Sequence, residues 1–339
     1  MANNNAAHQP NDFGIAIKAE TTLGTPIDDP TQLFTDSVSL PSFAPDQDLS
    51  VKSGKFVAAF DEVYSSSKNT PSEITATGLY NDTVGTLFEG ILHTAQSSDI
   101  ITVSDSYTAP NLFHGLTNAG ATRTYTVKLI SPQLTNNAGS PTTSPSCVEL
   151  FGCTVTALSV FADAATDGGR LKYSVTFKTG YLPNFLHAPG TVGDPATTGM
   201  TTIHDLSYRK IAGVTAPVVA SFNLSIENPA DYVGYDPNND RPYSISRSVP
   251  EGPICTLNST VKLDLSTKDL LGNFMNVSAQ TGLANHMSDR SDFDMSQVDN
   301  FAFDCDKAII TGMSLNEQAA MMYDIEQKLL FGTFKVSIT

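Results

Sequence analysis

The chain has 339 residues, 40% of them hydrophobic, which suffices for one large core or two domains of ordinary size. Acids outnumber bases 35 to 19, giving a formal charge of −16 on only 16% charged residues. That balance argues against wholesale disorder and against gripping phosphate backbones through basic groups.

Met1 to Gln9 is polar and Asn-rich, without the basic and apolar regions of a signal peptide. No apolar run approaches the roughly 18 residues a membrane span needs. The chain therefore reads as cytosolic at synthesis, and sequons such as Asn223-Leu-Ser225 and Asn258-Ser-Thr260 carry no weight. Cys147, Cys153, Cys255 and Cys305 show no C-x-x-C and no dense framework, which suits buried thiols in a reducing compartment. The spacing of Cys147 and Cys153 permits a bridge without requiring one.

Along the chain, Asn81 and Asp82 can cap a helix whose apolar stripe is Val84, Leu87, Phe88, Ile91 and Leu92. Tyr125, Val127 and Leu129 then alternate with Thr124, Thr126 and Lys128, the period-2 pattern of a half-buried strand. Asp163, Asp167 and Gly168 match part of a calcium loop, but Ala165 and Ser174 stand where ligands belong, so a hairpin turn is expected. Leu171, Tyr173, Val175 and Phe177 form the next alternating strand, against Lys172, Ser174, Thr176 and Lys178. Phe222, Leu224 and Ile226 form another, and Cys255 to Leu265 is the longest. After Ser266 and Thr267, the spacing of Leu270, Leu271, Phe274 and Met275 predicts a second helix. A capping box of Ser314 and Glu317 before Ala319, Met322, Ile325 and Leu329 predicts a third. Phe334, Val336 and Ile338 close the chain as a strand. Asn136–Ser146, Pro189–Gly199 and Tyr235–Pro242 combine Gly, Pro, Ser, Thr and Asn without period and read as long loops or arms suited to contacts with neighbouring subunits.

The order strand, short helix, long strands occurs around residues 72 to 180 and again around 253 to 338. Its register looks loose, because the last strand apolar precedes the helix by eight residues in one copy (Leu79 to Leu87) and five in the other (Leu265 to Leu270).

Residues that would carry chemistry do not assemble in sequence. There is no G-x-S-x-G turn, P-loop, G-x-G-x-x-G or H-E-x-x-H, and His8, His93, His114, His187, His204 and His286 lie far apart with nothing pairing them locally. Asp289, Asp292 and Asp294, with Asp304 and Asp306 beyond, read as a solvated acidic loop dense enough to attract a cation. Trp is absent and eleven Tyr are scattered, unlike a stacking surface for single strands. No catalytic, cofactor-binding or metal-binding residue is assigned, and the expectation is a protein that is not an enzyme.

Phe151-Gly-Cys-Thr-Val-Thr-Ala-Leu-Ser-Val-Phe-Ala-Asp-Ala164, continued by Gly168-Gly-Arg-Leu-Lys-Tyr-Ser-Val-Thr-Phe177, resembles the central hairpin of tail tube proteins from long-tailed bacteriophages. Gly14-Ile-Ala-Ile-Lys-Ala-Glu-Thr-Thr-Leu-Gly-Thr-Pro26 is similar to that family's opening, and Ser221-Phe-Asn-Leu-Ser-Ile-Glu-Asn228 to a later strand. The resemblance implies a mainly β, antiparallel sandwich or barrel fold with short helices and two tandem tube-like domains. Residues 1–36 would be an N-terminal arm, 37–190 the first domain, 191–220 a linker or arm, and 221–339 the second domain. It further implies a virion tail component, assembled in the host cytoplasm, whose rings stack into a hollow tube. Partners would be other copies of the chain, a trimer with pseudo-sixfold symmetry being favoured over a hexamer, together with stacked rings, the tape measure and other tail proteins. DNA would pass through the lumen without specific binding, and an acidic wall would keep it from sticking. The inner hairpins would be Thr154–Ala162 with Leu171–Lys178, and Thr256–Asp264 with the C-terminal strand, although the third predicted helix stands where the first copy has an acidic turn. A capsid decoration or tail-tip receptor-binding protein is the alternative implied class.

Overall fold

The computed structural model describes residues 13–22, 24–39, 46–48, 64–66, 72–93, 100–104, 123–130, 147–181, 183–186, 190–233, 244–247, 254–276, 283–288, 301–317 and 321–337. The loops expected at Asn136–Ser146 and Tyr235–Pro242, and the acidic positions Asp289, Asp292 and Asp294, lie outside them.

In chain order the first half holds β1 (Gly14–Ala19), β2 (Thr31–Gln32), β3 (Ser37–Val38), β4 (Asp46–Asp48), β5 (Tyr64–Ser66) and β6 (Ser72–Leu79). Helices α1 (Asp82–Gly85) and α2 (Leu87–Leu92) follow, then β7 (Ile100–Ser104), β8 (Tyr125–Ile130), β9 (Cys147–Asp163), β10 (Lys172–Thr179) and β11 (Asn184–Leu186). The second half holds β12 (Tyr208–Ile211), β13 (Val214–Thr215), β14 (Val219–Glu227), β15 (Ala230–Val233), β16 (Ser244–Arg247) and β17 (Ile254–Lys262). It ends with α3 (Leu270–Met275), β18 (Asn285–Ser288), β19 (Ala302–Glu317) and β20 (Met321–Ser337). Sixteen strands join in one antiparallel sheet whose main path runs β13-β12-β18-β19-β20-β17-β14-β9-β10-β6-β3. The fold is mainly β, as the alternating segments require.

Alternation decides which side of each strand is core. On β10, Tyr173, Val175 and Phe177 are buried while Lys172, Ser174, Thr176 and Lys178 face outward, and β14 repeats this with Phe222, Leu224 and Ile226. Each such side chain contributes about 1.5–3 kcal/mol by leaving water. β8 departs from its expected half-burial, because it lies between β1 and β9 and its polar side is covered too. Thr126 and Lys128 are therefore buried, and both find polar partners described below.

β9 serves two groups of strands. Up to Cys153 it pairs with β8 and β11, and from Thr154 onward with β10 and β14. Gly152 marks the change, with φ at +60°, and a Cβ there would lie 2.5 Å from the Tyr181 ring. The turn after β9 is a hairpin turn, as expected: Asp163 Oδ1 accepts the Ala165 amide, Gly168 and Gly169 take positive φ, and Asp167 pairs with Lys172. Lys172 also reaches Asp36 at 3.4 Å, tying the start of β3 to β10.

The first predicted helix forms as α1 and α2, with Asn81 Oδ1 accepting the Val84 amide at 3.1 Å and all of Val84, Leu87, Phe88, Ile91 and Leu92 buried. The second forms as α3, but its expected apolar stripe is only half used: Leu270 is buried, whereas Leu271 and Met275 are exposed. The third predicted helix does not exist. Ser314–Glu317 ends β19, and Met321 onward is β20, paired with β19 on one edge and β17 on the other. Tyr323, Ile325, Gln327 and Leu329 are buried at period 2. Ladders along both edges of β20 outweigh the one local capping box that suggested a helix.

Pairing reveals a repeat of strand order. β3, β6, β10 and β9 lie side by side in that order, and β14, β17, β20 and β19 lie side by side in the same order next to them. Residue register repeats as well. Leu79 opposes Lys172, which opposes Phe161; Lys262 opposes Met322, which opposes Asn316. One displacement of 183 residues carries Leu79 to Lys262 and Leu87 to Leu270, the first residues of α2 and α3. Between β9 and β10 the extra residue of a bulge is Thr156, and between β19 and β20 one is Thr311. Both threonines donate the same hydrogen bond, Thr156 Oγ1 to Thr176 O and Thr311 Oγ1 to Glu326 O, each at 3.3 Å. The hydrogen bond of the cap repeats too, although the residues after it form a turn before α3: Asp264 Oδ1 accepts the Thr267 amide at 3.3 Å, as Asn81 Oδ1 does with Val84. Hydrogen bonds from Ser266 hold the Asp264 carboxyl below the usual range.

Segments expected as an arm and a linker also supply core. Ile15, Ile17 and Leu33 come from residues 1–36, and Ile203, Leu206 and Ile211 from residues 191–220; all join one buried cluster.

All four cysteines are free and buried. Cys147 and Cys153 share β9 six positions apart, roughly 20 Å along a strand, far beyond disulfide reach. Burial pushes the Cys147 thiol up to about 11, the Cys305 thiol up to about 12, and holds Cys153 and Cys255 well above the ordinary value. Native protein at pH 8 should leave a thiol reagent such as dithionitrobenzoate unconsumed over the time in which denatured protein reacts completely; one fast thiol would contradict the burial. Because these thiols ionise more readily when unfolded, their contribution to stability should be constant below pH 9 and be lost from about 9 towards 12.

Candidate functional site: the polar face of the sheet

The outward side of the eight central strands is a polar surface that the sheet organises. β14 presents Ser221, Asn223 and Ser225, β17 Thr256, Asn258 and Thr260, β19 Ser314 and Asn316, and β10 Ser174 and Thr176. Cross-strand hydroxyl bonds lock part of this surface: Ser159 to Ser225 at 3.0 Å, Thr75 with Thr176 at 3.1 Å, Ser37 with Thr77 at 2.7 Å. Where the two four-stranded groups meet, the face is concave. A groove of about 800 Å³ runs over β9, β14, β17, β20 and β19.

Charge on this face is nearly balanced rather than strongly acidic. Glu73, Asp163, Glu227, Asp324 and Glu326 stand against Lys172, Lys178, Lys262 and Lys328 on β6, β9, β14, β10, β17 and β20. Within the groove the balance tips, since its charged lining is Asp163, Asp324 and Glu326. Asp324 is engaged locally, accepting from Thr260 Oγ1 at 2.8 Å and from Asn316 Nδ2 at 2.9 Å. Neutral hydroxyls and amides dominate, a surface that wets well and offers a polyanion little to hold.

The described histidines lie on separate elements. Of the histidines, His93 is buried after α2, His204 is exposed, and His286 lies on β18; His8, His114 and His187 fall outside the described residues. His286 is not isolated as its sequence neighbours suggested: its Nδ1 pairs with Asp304 across β18 and β19. Asp304 is thus a buried partner, not part of a solvated acidic loop, while Asp306 is exposed. Among the described residues, no group of three His, Cys, Asp or Glu side chains is placed to hold a metal ion.

Three polar arrangements, one around the half-buried Glu20 and two buried, had no sequence signal. Glu20 accepts from the amides of Gly24 (2.9 Å) and Gly152 (2.8 Å) and from the hydroxyls of Thr124 (2.7 Å) and Thr126 (3.1 Å). Lys128 pairs with Glu149 at 3.3 Å across β8 and β9. Asn285 and Gln327 exchange side-chain hydrogen bonds at 3.1 Å, and Asn285 also accepts the Ala212 amide. The partners are separated by 4 to 132 positions in Glu20's case, so no local spacing could announce them.

The Lys128–Glu149 and His286–Asp304 pairs occupy matching places. Lys128 opposes Glu149, and His286 opposes Asp304, in strands that correspond under the repeat: β8 with β18, β9 with β19. Each seats a base against a carboxylate on the covered side of the sheet, close to where the long strand leaves the shared face. No helix among the described residues is long and apolar enough to cross a membrane. No family model matches the chain, and no curated protein matches it.

Proposed function

We propose that the chain is a structural subunit of a bacteriophage tail tube, forming rings that stack around a lumen through which DNA passes. The observation that carries this reading is the repeated strand order, two groups of four strands in the same register joined edge to edge in one antiparallel sheet with a polar concave face. Edge-to-edge joining of like units, continued from chain to chain, closes a sheet into a barrel and removes its exposed edges. We read the repeat as a tandem duplication. Three chains then supply six like units, so a trimeric ring has pseudo-sixfold symmetry. The polar face becomes the wall, where Ser, Thr and Asn side chains with balanced charge suit passage of DNA without specific binding. The tape measure would occupy that lumen before ejection, and other tail proteins would meet the ends of the tube.

Negative-stain microscopy of the purified full-length protein at rising concentration tests the reading. Rings or hollow tubes with three- or sixfold end views are expected. A protein that stays monomeric throughout would sink it.

A further inference from the structure

We propose that residues Thr311–Glu317 of β19 are the docking edge for β3 of a second copy of this chain, antiparallel, with Asn316 opposite Ser39 and Glu317 opposite Val38. The inference deepens the ring reading above and rests on it for the identity of the partner.

The register comes from the junction that the chain makes within itself. β9, the last strand of the first group, pairs with β14, the first strand of the second: Phe161 opposes Asn223 and Ala162 opposes Phe222. Under the repeat, Phe161 corresponds to Asn316, since each opposes the residue that faces Leu79 or Lys262. Phe222 opposes Ser259 and Val38 opposes Ala76, which likewise correspond, so Val38 stands for Phe222 and Ser39 for Asn223. Transferring the β9–β14 junction to β19 and β3 yields the stated pairing.

Both edges are available. Among the described strands, nothing pairs with Thr311–Glu317 on the side away from β20, and nothing pairs with β3 on the side away from β6. Apolar side chains mark the β19 edge as incomplete. Leu315 is 51% exposed and Met321, at the start of β20, is 44% exposed, whereas their counterparts Val160 and Leu171 are 0% and 1% exposed beneath the β14 junction and its surroundings. A long apolar edge strand left open is an aggregation hazard that a specific partner removes. Parity agrees as well: eight alternating strands per chain let β19 meet the next β3 antiparallel for any number of copies. Because the two edges differ, the contact is heterologous, and closure gives a ring.

The test pairs Ser39→Cys with Asn316→Cys in the full-length protein, the native cysteines being buried and free. Directly opposed residues lie within disulfide reach, while a Ser39→Cys, Ser314→Cys control is displaced by two positions. Mild oxidation should give a ladder of covalent oligomers for the first pair, at least tenfold above the control and above either single variant. Leu315→Lys, at a position half exposed in the single chain, should retain its circular dichroism spectrum and weaken self-association at least tenfold by sedimentation. Rings by microscopy with no covalent product from the Ser39→Cys, Asn316→Cys variant, or equal product from the control, would overturn the edge assignment and leave the ring reading standing. Cross-linked open chains without rings would do the reverse. A Leu315→Lys protein that assembles like the parent also overturns the edge assignment.

Discussion

Glu20→Ala is expected to destabilise the fold by about 4 kcal/mol, since it removes the acceptor for four donors and leaves some of them buried without a partner. The donors are the Gly24 and Gly152 amides and the Thr124 and Thr126 hydroxyls. They belong to the loop after β1, to β8 and its approach, and to β9 at Gly152, so one carboxylate ties three pieces of chain together. The two hydroxyls can turn to other acceptors, but the two amides cannot move. Urea denaturation of the full chain measures the effect as a lower midpoint at unchanged slope. Glu20→Gln should recover part of the loss, because its carbonyl oxygen still accepts although its amide nitrogen does not. A Glu20→Ala protein within about 1 kcal/mol of the parent would show that the carboxylate is incidental.

The second large effect is expected at Lys128. Its ammonium is buried on β8 against the buried carboxylate of Glu149, with the exposed Asp28 at 3.6 Å adding little. Lys128→Met should cost about 3–5 kcal/mol, because it strands the Glu149 charge in the interior. Replacing both, Lys128→Met with Glu149→Met, should return stability to within about 1 kcal/mol of the parent, because a buried ion pair repays little more than its own desolvation. The double-mutant cycle would then give a large coupling energy alongside a small net contribution. Equal losses for the single and double variants would mean that β8 depends on the lysine for packing and not for charge.

The matching pair, His286 with Asp304, shows how the same place in the repeat tolerates different chemistry. A base and an acid face each other in both, yet one base is Lys and the other His, and no residue identity links β8 with β18, the strands that carry the two bases. Identity survives at few positions, among them Thr156 with Thr311, Ser159 with Ser314, Tyr173 with Tyr323 and Lys178 with Lys328. Tyr173 and Tyr323 are buried at the same point of β10 and β20, and the two threonines form the same bulge.

Alternation in β10, β14 and β17 was legible from the sequence because side-chain direction in a strand has period 2 and needs no knowledge of neighbours. The α2 stripe and the Asn81 cap were legible for the equivalent reason at period 3.6. Reading failed where the answer lay with a partner strand. Ser314–Leu329 carries a helical cap and spacing, but β17 and β19 lie on both sides of β20 and hold it extended. The repeat looked loose when Leu79 was compared with Leu265, an apolar residue that is 86% exposed and lies past the end of β17. Matched by pairing, Leu79 corresponds to Lys262, and both precede their helix by the same eight residues.

What the sequence by itself determined was thus the mainly β class, the buried side of most strands, the first two helices and the hairpin turn at Asp163 to Gly169, all set by interactions within a few residues. The tertiary structure alone decided the strand order, the burial of Thr126 and Lys128, the donors around Glu20, the partner of His286 and the edge left open at Leu315. Those depend on residues far apart in the chain, 132 positions for Glu20 and Gly152, brought together only once the sheet has formed.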